Sequence, residues 1–133
     1  MTTEIDKLAW LHVVDRQVLF ARSKGRVACY IPGGKREPGE SDEAALVREI
    51  REELSVDLLP ETIRLAGKFR AQADGKPDGA MVKMSCYQAD YRGRITAAAE
   101  IEEVLWLRHG DKDRCSPVGR LILDWLKQQG MID

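Results

Sequence analysis

The feature that most restricts this chain is a helix carrying three carboxylates near its C-terminal end. From Ser41 to Leu54 the apolar residues Ala44, Val47, Ile50 and Leu54 recur at helical spacing; Ser41 stands where an N-cap belongs, and Asp42 and Glu43 fill the first turn. Glu49, Glu52 and Glu53 fall at i, i+3 and i+4, which sets them on one face of the helix. Like charges so spaced cost ~0.2–0.5 kcal/mol each, in turns where the macrodipole already disfavours anions. The bland account is a solvated acidic face neutralised by Arg48 and Arg51. The preceding loop outweighs it. The apolar run Val27 to Ile31 stops at Pro32-Gly33-Gly34, a turn that lets main chain approach a bound group closely. Carboxylates converging from a rigid element beside such a turn suit a hard divalent cation, so the sequence predicts a magnesium or manganese site.

The other elements are read from periodicity. Two strands meet in a hairpin at Asp15-Arg16, the first through Leu8 to Val14 and the second from Gln17 to Ala21. Val27 to Ile31 reads as a short strand. Thr62 to Ala71 and Ala80 to Tyr91 read as extended segments around the turn-rich stretch Asp74 to Gly79. A last strand is expected near Val104 to Leu107, and a helix opens at Pro117 and ends near Gly130. The order describes one α+β domain over residues 1–133 with two main helices on a mixed sheet.

Charge and composition exclude several classes. The 133 residues suffice for one core, and 21 Lys plus Arg against 22 Asp plus Glu leave a net charge of -1, so no basic field exists for a nucleic-acid polymer. The longest stretch without Asp, Glu, Lys or Arg, Val27 to Gly34, falls far short of the ~20 apolar residues of a membrane span. The N-terminus carries acids where a signal peptide carries bases, so the expected place is the cytoplasm. Cys29, Cys86 and Cys115 are expected to be reduced, buried thiols without chemistry. A homodimer stays open.

The segment GKREPGESDEAALVREIREELSV, Gly34 to Val56, resembles the Nudix box of the MutT-type Nudix hydrolases, G-x5-E-x7-R-E-U-x-E-E-x-G-U with U aliphatic. Gly34, Glu40, Arg48-Glu49, Ile50, Glu52-Glu53 and Val56 fill the pattern, and Ser55 replaces its last glycine. That position is a helix end where glycine takes a left-handed conformation, so serine costs ~1 kcal/mol there or moves the cap.

The resemblance implies an α/β/α sandwich with a mixed sheet between helices, and hydrolysis of a nucleoside diphosphate linked to a further group. By the same resemblance Glu49, Glu52 and Glu53 are metal ligands, Glu49 is also the general base, Arg48 orients it, and the Gly33 carbonyl joins the Mg2+ or Mn2+ ligands. Glu40 holds the loop to the helix. Family members recruit one more acid ahead of the last strand; among Glu100, Glu102 and Glu103 the first choice is Glu100. The basic run before the box offers Arg22 and Arg26 for outer phosphates. Gly34 and Tyr30 complete the substrate set; Phe20, Trp10 and Phe69 are further rings for a base, each expected in the core, as are Trp106 and Trp125. Markers for ADP-ribose, diadenosine polyphosphate and NADH hydrolases are missing around Ala71 to Asp74, which favours a small nucleoside triphosphate pyrophosphohydrolase. The rival readings are a hydrolase of ADP-ribose or another nucleotide sugar, and a non-catalytic nucleotide sensor on the same fold, which would have lost the carboxylates.

Overall fold

The first strand, β1 (Glu4–Trp10), has two apolar faces, and the fold is what covers both. Leu8 and Trp10 face one way, while Ala9 and, just past the strand, Leu11 face the other; all four are buried. The computed structural model describes residues 4–73 and 79–133.

The remaining elements are β2 (Val13–Val14), β3 (Gln17–Ser23), β4 (Gly33–Gly34), α1 (Asp42–Leu54), β5 (Asp57–Leu58), β6 (Arg64–Gln72), β7 (Met81–Gln88), β8 (Tyr91–Arg92), β9 (Ile101–Leu107) and α2 (Pro117–Gln128). One sheet has the order β4-β1-β7-β6 and is mixed: β1 runs parallel to β7, from Glu4 beside Met81 to Trp10 beside Tyr87, and the other pairs are antiparallel. A second, antiparallel sheet has the order β2-β3-β9, and β5 pairs with β8. Helix α1 buries Ala45, Leu46, Ile50 and Leu54 with Leu8, Trp10, Leu19 and Tyr87. On the opposite side α2 buries Val118, Ile122, Leu123 and Leu126 with Ala9, Leu11, Phe20 and Met84. The layers are therefore α/β/α around mixed β-structure, and a strand buried on both faces reads as a nearly continuous apolar run.

Both helices begin on serine. The Ser41 hydroxyl accepts from the Ala44 N–H at 3.1 Å and that of Ser116 from the Gly119 N–H at 3.3 Å. Helix α1 ends on Ser55, which takes the left-handed conformation at φ 63° and donates its N–H to the Arg51 carbonyl. The cap keeps its glycine-type geometry without the glycine. Cys29, Cys86 and Cys115 are free and buried.

Several expectations need correction. β1 starts at Glu4 and stops at Trp10, with Leu11 and His12 separating it from β2. Val27 to Ile31 makes no strand. Its residues bridge to two different neighbours, Tyr30 to Ala21 and Cys29 to Cys115, so no ladder propagates and Val27 is left 93% exposed. β9 begins at Ile101, ahead of Val104. Trp106 is not core: on this edge strand it is 39% exposed, with its ring tilted against His12. Trp125 is half-buried, edge-on to Phe69. The turn expected over Asp74 to Gly79 lies, but for Gly79, outside the described residues.

Because a non-glycine residue in the left-handed region is strained, Ser55→Gly should raise stability by about 1 kcal/mol. Thermal unfolding with and without the substitution checks it, the expected outcome being a Tm higher by a few degrees.

Candidate active site

Arg48 organises the site. Its guanidinium donates from Nε to Glu40 Oε2 at 2.8 Å and from one terminal nitrogen to Glu40 Oε1 at 2.9 Å, a two-point grip that fastens the loop before α1 to the helix. The same terminal nitrogen reaches the Lys35 carbonyl at 3.0 Å, and the other donates to Glu49 Oε1 at 3.0 Å and lies 3.5 Å from Glu52 Oε2. The bonds from Arg48 and then from the Glu37 N–H hold the Glu40 carboxyl at about 2, well below its ordinary value. Arg36 provides a second fastening, donating to Asp6 and Asp42, while the Tyr87 hydroxyl also donates to Asp42. No sequence pattern announces this network, since its members come from β1, the loop, α1 and β7.

Glu53 is the anomaly among the acids. It is only 4% exposed, and its Oε2 has no hydrogen-bond partner. Burial first, and then the charges of Glu49 and Glu100, push its pKa up to about 8, against a lowering bond from the Gly33 backbone. Burial also raises Glu49, against the pull of Arg48. Gly34 is what lets Glu49 lie where it does, because a Cβ at Gly34 would stand 2.5 Å from the Glu49 carboxyl carbon. Gly33 is more tightly constrained, because its neighbour is backbone: a Cβ there would lie 2.0 Å from the Leu8 carbonyl oxygen. These contacts explain both glycines sterically.

The carboxylates share a face without converging. Glu49 and Glu52 are drawn to Arg48, Glu53 is buried, and among the described residues no three Asp, Glu, His or Cys side chains meet as an ion's ligands would. Mutual repulsion accounts for the spread. The donor set nevertheless fits a hard divalent cation: every candidate donor is an oxygen, and one buried carboxylate oxygen lacks any partner.

A cavity of about 310 Å3 opens beside these acids, and Gly33, Gly34, Glu53, Glu100, Arg26 and Tyr30 line it. Glu100 is brought there by the segment ahead of β9. The Thr96 and Ala98 amides donate to the carbonyls of Leu54 and Glu53, and the Glu100 carbonyl accepts from the Lys24 N–H. Glu103 is instead paired with Arg22 at 3.0 Å across β3 and β9, and Glu102 is exposed and outside the cavity lining. Arg22 therefore faces Glu103 and the Arg26 carbonyl, away from the lining, whereas Arg26 is part of it. The Tyr30 hydroxyl bonds to Ser23 Oγ, and burial pushes its pKa up to about 12. Phe20 and Trp10 are fully buried. Sequence reasoning missed Lys7 and Ser23 on this lining.

A three-layer α/β/α scaffold with an acidic helix end beside a glycine turn defines a class, and comparison gives the family. The model of the NUDIX domain matches residues 7–125, so the chain belongs to the NUDIX family. It is a hydrolase of a family that acts on small molecules and generally uses divalent metal ions. The ORF135 protein of E. coli has a similar structure, with TM-score 0.74 and 23% identity over 97% of this chain and 92% of that one. So do a MutT NUDIX hydrolase from Burkholderia pseudomallei (0.73, 21%, covering 92% and 97%) and a MutT protein from Methanosarcina mazei Go1 (0.75, 16%, covering 97% and 96%). At these identities the likeness is one of fold. No curated protein matches the chain by sequence. Among the described residues no helix is long and apolar enough to cross a membrane.

Glu53 gives a pH-dependent test. Its folded pKa lies above its ordinary 4.5, so the native state holds the proton more tightly than the unfolded chain. The benefit is complete below about 4.5 and is lost as pH rises through about 8. In EDTA, Glu53→Gln should therefore melt close to the parent at about pH 5 and several degrees above it at about pH 9. Equal melting points across this range would contradict the burial account.

Proposed function

We propose that the chain is a metal-dependent pyrophosphohydrolase that cleaves a nucleoside diphosphate linked to another moiety, with a nucleoside triphosphate as the favoured substrate. The observation that carries the reading is the buried Glu53 carboxylate at the cavity wall, whose Oε2 has no hydrogen-bond partner and on which the charges of Glu49 and Glu100 act. Glu49, Glu52, Glu53 and Glu100, with the Gly33 carbonyl, would hold Mg2+ or Mn2+. When bound, the ion neutralises the diphosphate and acidifies a water molecule.

The chain's own residues do the rest. Arg48 fixes Glu49 through the 3.0 Å bond, and Glu49 takes the proton of the attacking water as general base. Water oxygen bonds to an inner phosphorus, the bridging P–O bond breaks, and its electron pair leaves with pyrophosphate. Arg26 receives outer phosphates, Gly34 gives room for close approach, and Glu40 keeps the loop in place through Arg48. Arg22 joins the phosphate side only by exchanging Glu103 for substrate. Tyr30 borders the nucleoside. Retention of the box carboxylates favours catalysis over a sensor role. Buried, free thiols suit the cytoplasm, where a single domain over residues 1–133 would act.

Magnesium or manganese should support turnover of nucleoside triphosphates and EDTA should abolish it. In ¹⁸O-labelled water the label should appear in the monophosphate, with pyrophosphate leaving unlabelled; labelled orthophosphate beside a nucleoside diphosphate would sink the assignment.

The three acids near β9 should separate by kinetics. Glu100→Gln is expected to lower kcat by about tenfold or more, while Glu102→Gln and Glu103→Gln stay within about twofold of the parent. Equal, negligible effects would remove Glu100 from the site.

A further inference from the structure

Two hydroxyls meet on the cavity wall and share one bond between them. Ser23 ends β3, and Tyr30 is held opposite Ala21 by two main-chain bonds, from the Ala21 N–H to the Tyr30 carbonyl at 2.8 Å and from the Tyr30 N–H to the Ala21 carbonyl at 2.9 Å. That pairing sets the Tyr30 ring alongside β3, where its hydroxyl meets Ser23 Oγ. Both residues are half-buried and both line the cavity. Each hydroxyl carries one proton and can also accept. One bond uses one proton, so whichever oxygen accepts keeps an O–H of its own. Among the described residues neither side chain makes a second hydrogen bond, which leaves that proton without a protein acceptor. A donor partly stripped of water in this way is costly unless a ligand oxygen meets it.

The surroundings say what kind of oxygen that is. The carboxylates whose charges act on the Tyr30 phenol are Glu53 and then Glu100, and the cation beside it is Arg26. The hydroxyl therefore lies at the acid end of the cavity, whereas Ile5, Val82 and Met84 form an apolar part of the lining. What enters between these acids and Arg26, on the nucleotide reading above, is a phosphate chain, and its non-bridging oxygens are strong acceptors. A neutral donor suits this place. It can hold a phosphate oxygen without neutralising the acids that have to hold the ion, as a further cation would. Of the two hydroxyls the phenol is the more acidic and the stronger donor, and a bond accepted from Ser23 polarises it further.

Resting on that reading, we propose that Ser23 and Tyr30 form a phosphate-binding pair, in which Tyr30 Oη donates to a non-bridging phosphate oxygen of the substrate and Ser23 Oγ donates to Tyr30 Oη. Ser23 is a positioning residue and acts through Tyr30.

Calorimetric titration tests this with two ligands, each with magnesium: inorganic pyrophosphate, and a nucleoside triphosphate analogue with carbon in place of the oxygen bridging α and β. The proteins are the parent, Tyr30→Phe, Ser23→Ala, Ser23→Thr and the double variant Ser23→Ala/Tyr30→Phe, and thermal melting confirms that each folds. Tyr30→Phe keeps the ring and should weaken both ligands about tenfold. Ser23→Ala should weaken them about threefold, and Ser23→Thr, which keeps the hydroxyl, should bind them as the parent does. The double variant should be no weaker than Tyr30→Phe, because Ser23 then has nothing to direct. If Tyr30→Phe does not fold, the contrast between Ser23→Ala and Ser23→Thr decides. Unchanged affinities, losses that add in the double variant, or a loss for the analogue without one for pyrophosphate overturn the assignment. So does an equal loss of manganese affinity measured without any phosphate ligand, which would make the pair part of the ion's site. Pyrophosphate binding that depends on Tyr30, in a protein that hydrolyses no nucleoside triphosphate, overturns the pyrophosphohydrolase reading and leaves this one standing. A parent that binds neither ligand overturns both.

Discussion

The guanidinium of Arg48 is the joint on which the site depends. One planar group grips Glu40 at two points, takes a main-chain carbonyl from the loop and holds Glu49 on the helix. Without it the loop carrying Gly34 and the helix carrying the acids would keep the Arg36 bonds and the bond from the Gly33 backbone to Glu53 but lose the two-point grip on Glu40. A lysine could not replace it, because a compact ammonium cannot present parallel donors to a carboxylate while reaching two further acceptors. The same cation offsets the repulsion that three acids at one helix end create.

That joint works only because the layers beneath it are fixed. β1 is covered by α1 on one face and by the α2 layer on the other, and β4 pairs with it through Gly33 and Gly34. Gly33 meets the β1 backbone so closely that no side chain fits, and the missing side chain at Gly34 leaves room for the Glu49 carboxylate where it lies. The glycine turn is therefore held by the central sheet on one side and by the acidic helix on the other, which places the cavity between them.

How much was legible in the sequence follows from how local each feature is. Helix α1, its serine cap and the spacing of Arg48 to Glu40 are local, and the geometry reproduces them. Ser55 in a left-handed cap is local too, although its residue type argues against it. Val27 to Ile31 looked like a strand because it is apolar, yet its bridges go to different neighbours, which composition does not encode. The first turn of β1 was missed because Glu4, Ile5 and Asp6 gain their strand partners from Met81, Val82 and Lys83, far along the chain. Arg22 was a reasonable phosphate ligand until register set it opposite Glu103. Lys7 could have been found from its inward place in an alternating strand, had the strand's start been known.

The fastening of residues 96–98 to the carbonyls of Glu53 and Leu54 has a mechanical consequence. The terminal turn of α1 is finished by the same segment that delivers Glu100, so the helix end and the incoming acid form one cooperative unit. Heat that frays this turn releases both together. The cluster is then lost as a whole rather than acid by acid, and local melting of one helical turn is enough to uncouple the acids while the sheet beneath stays folded.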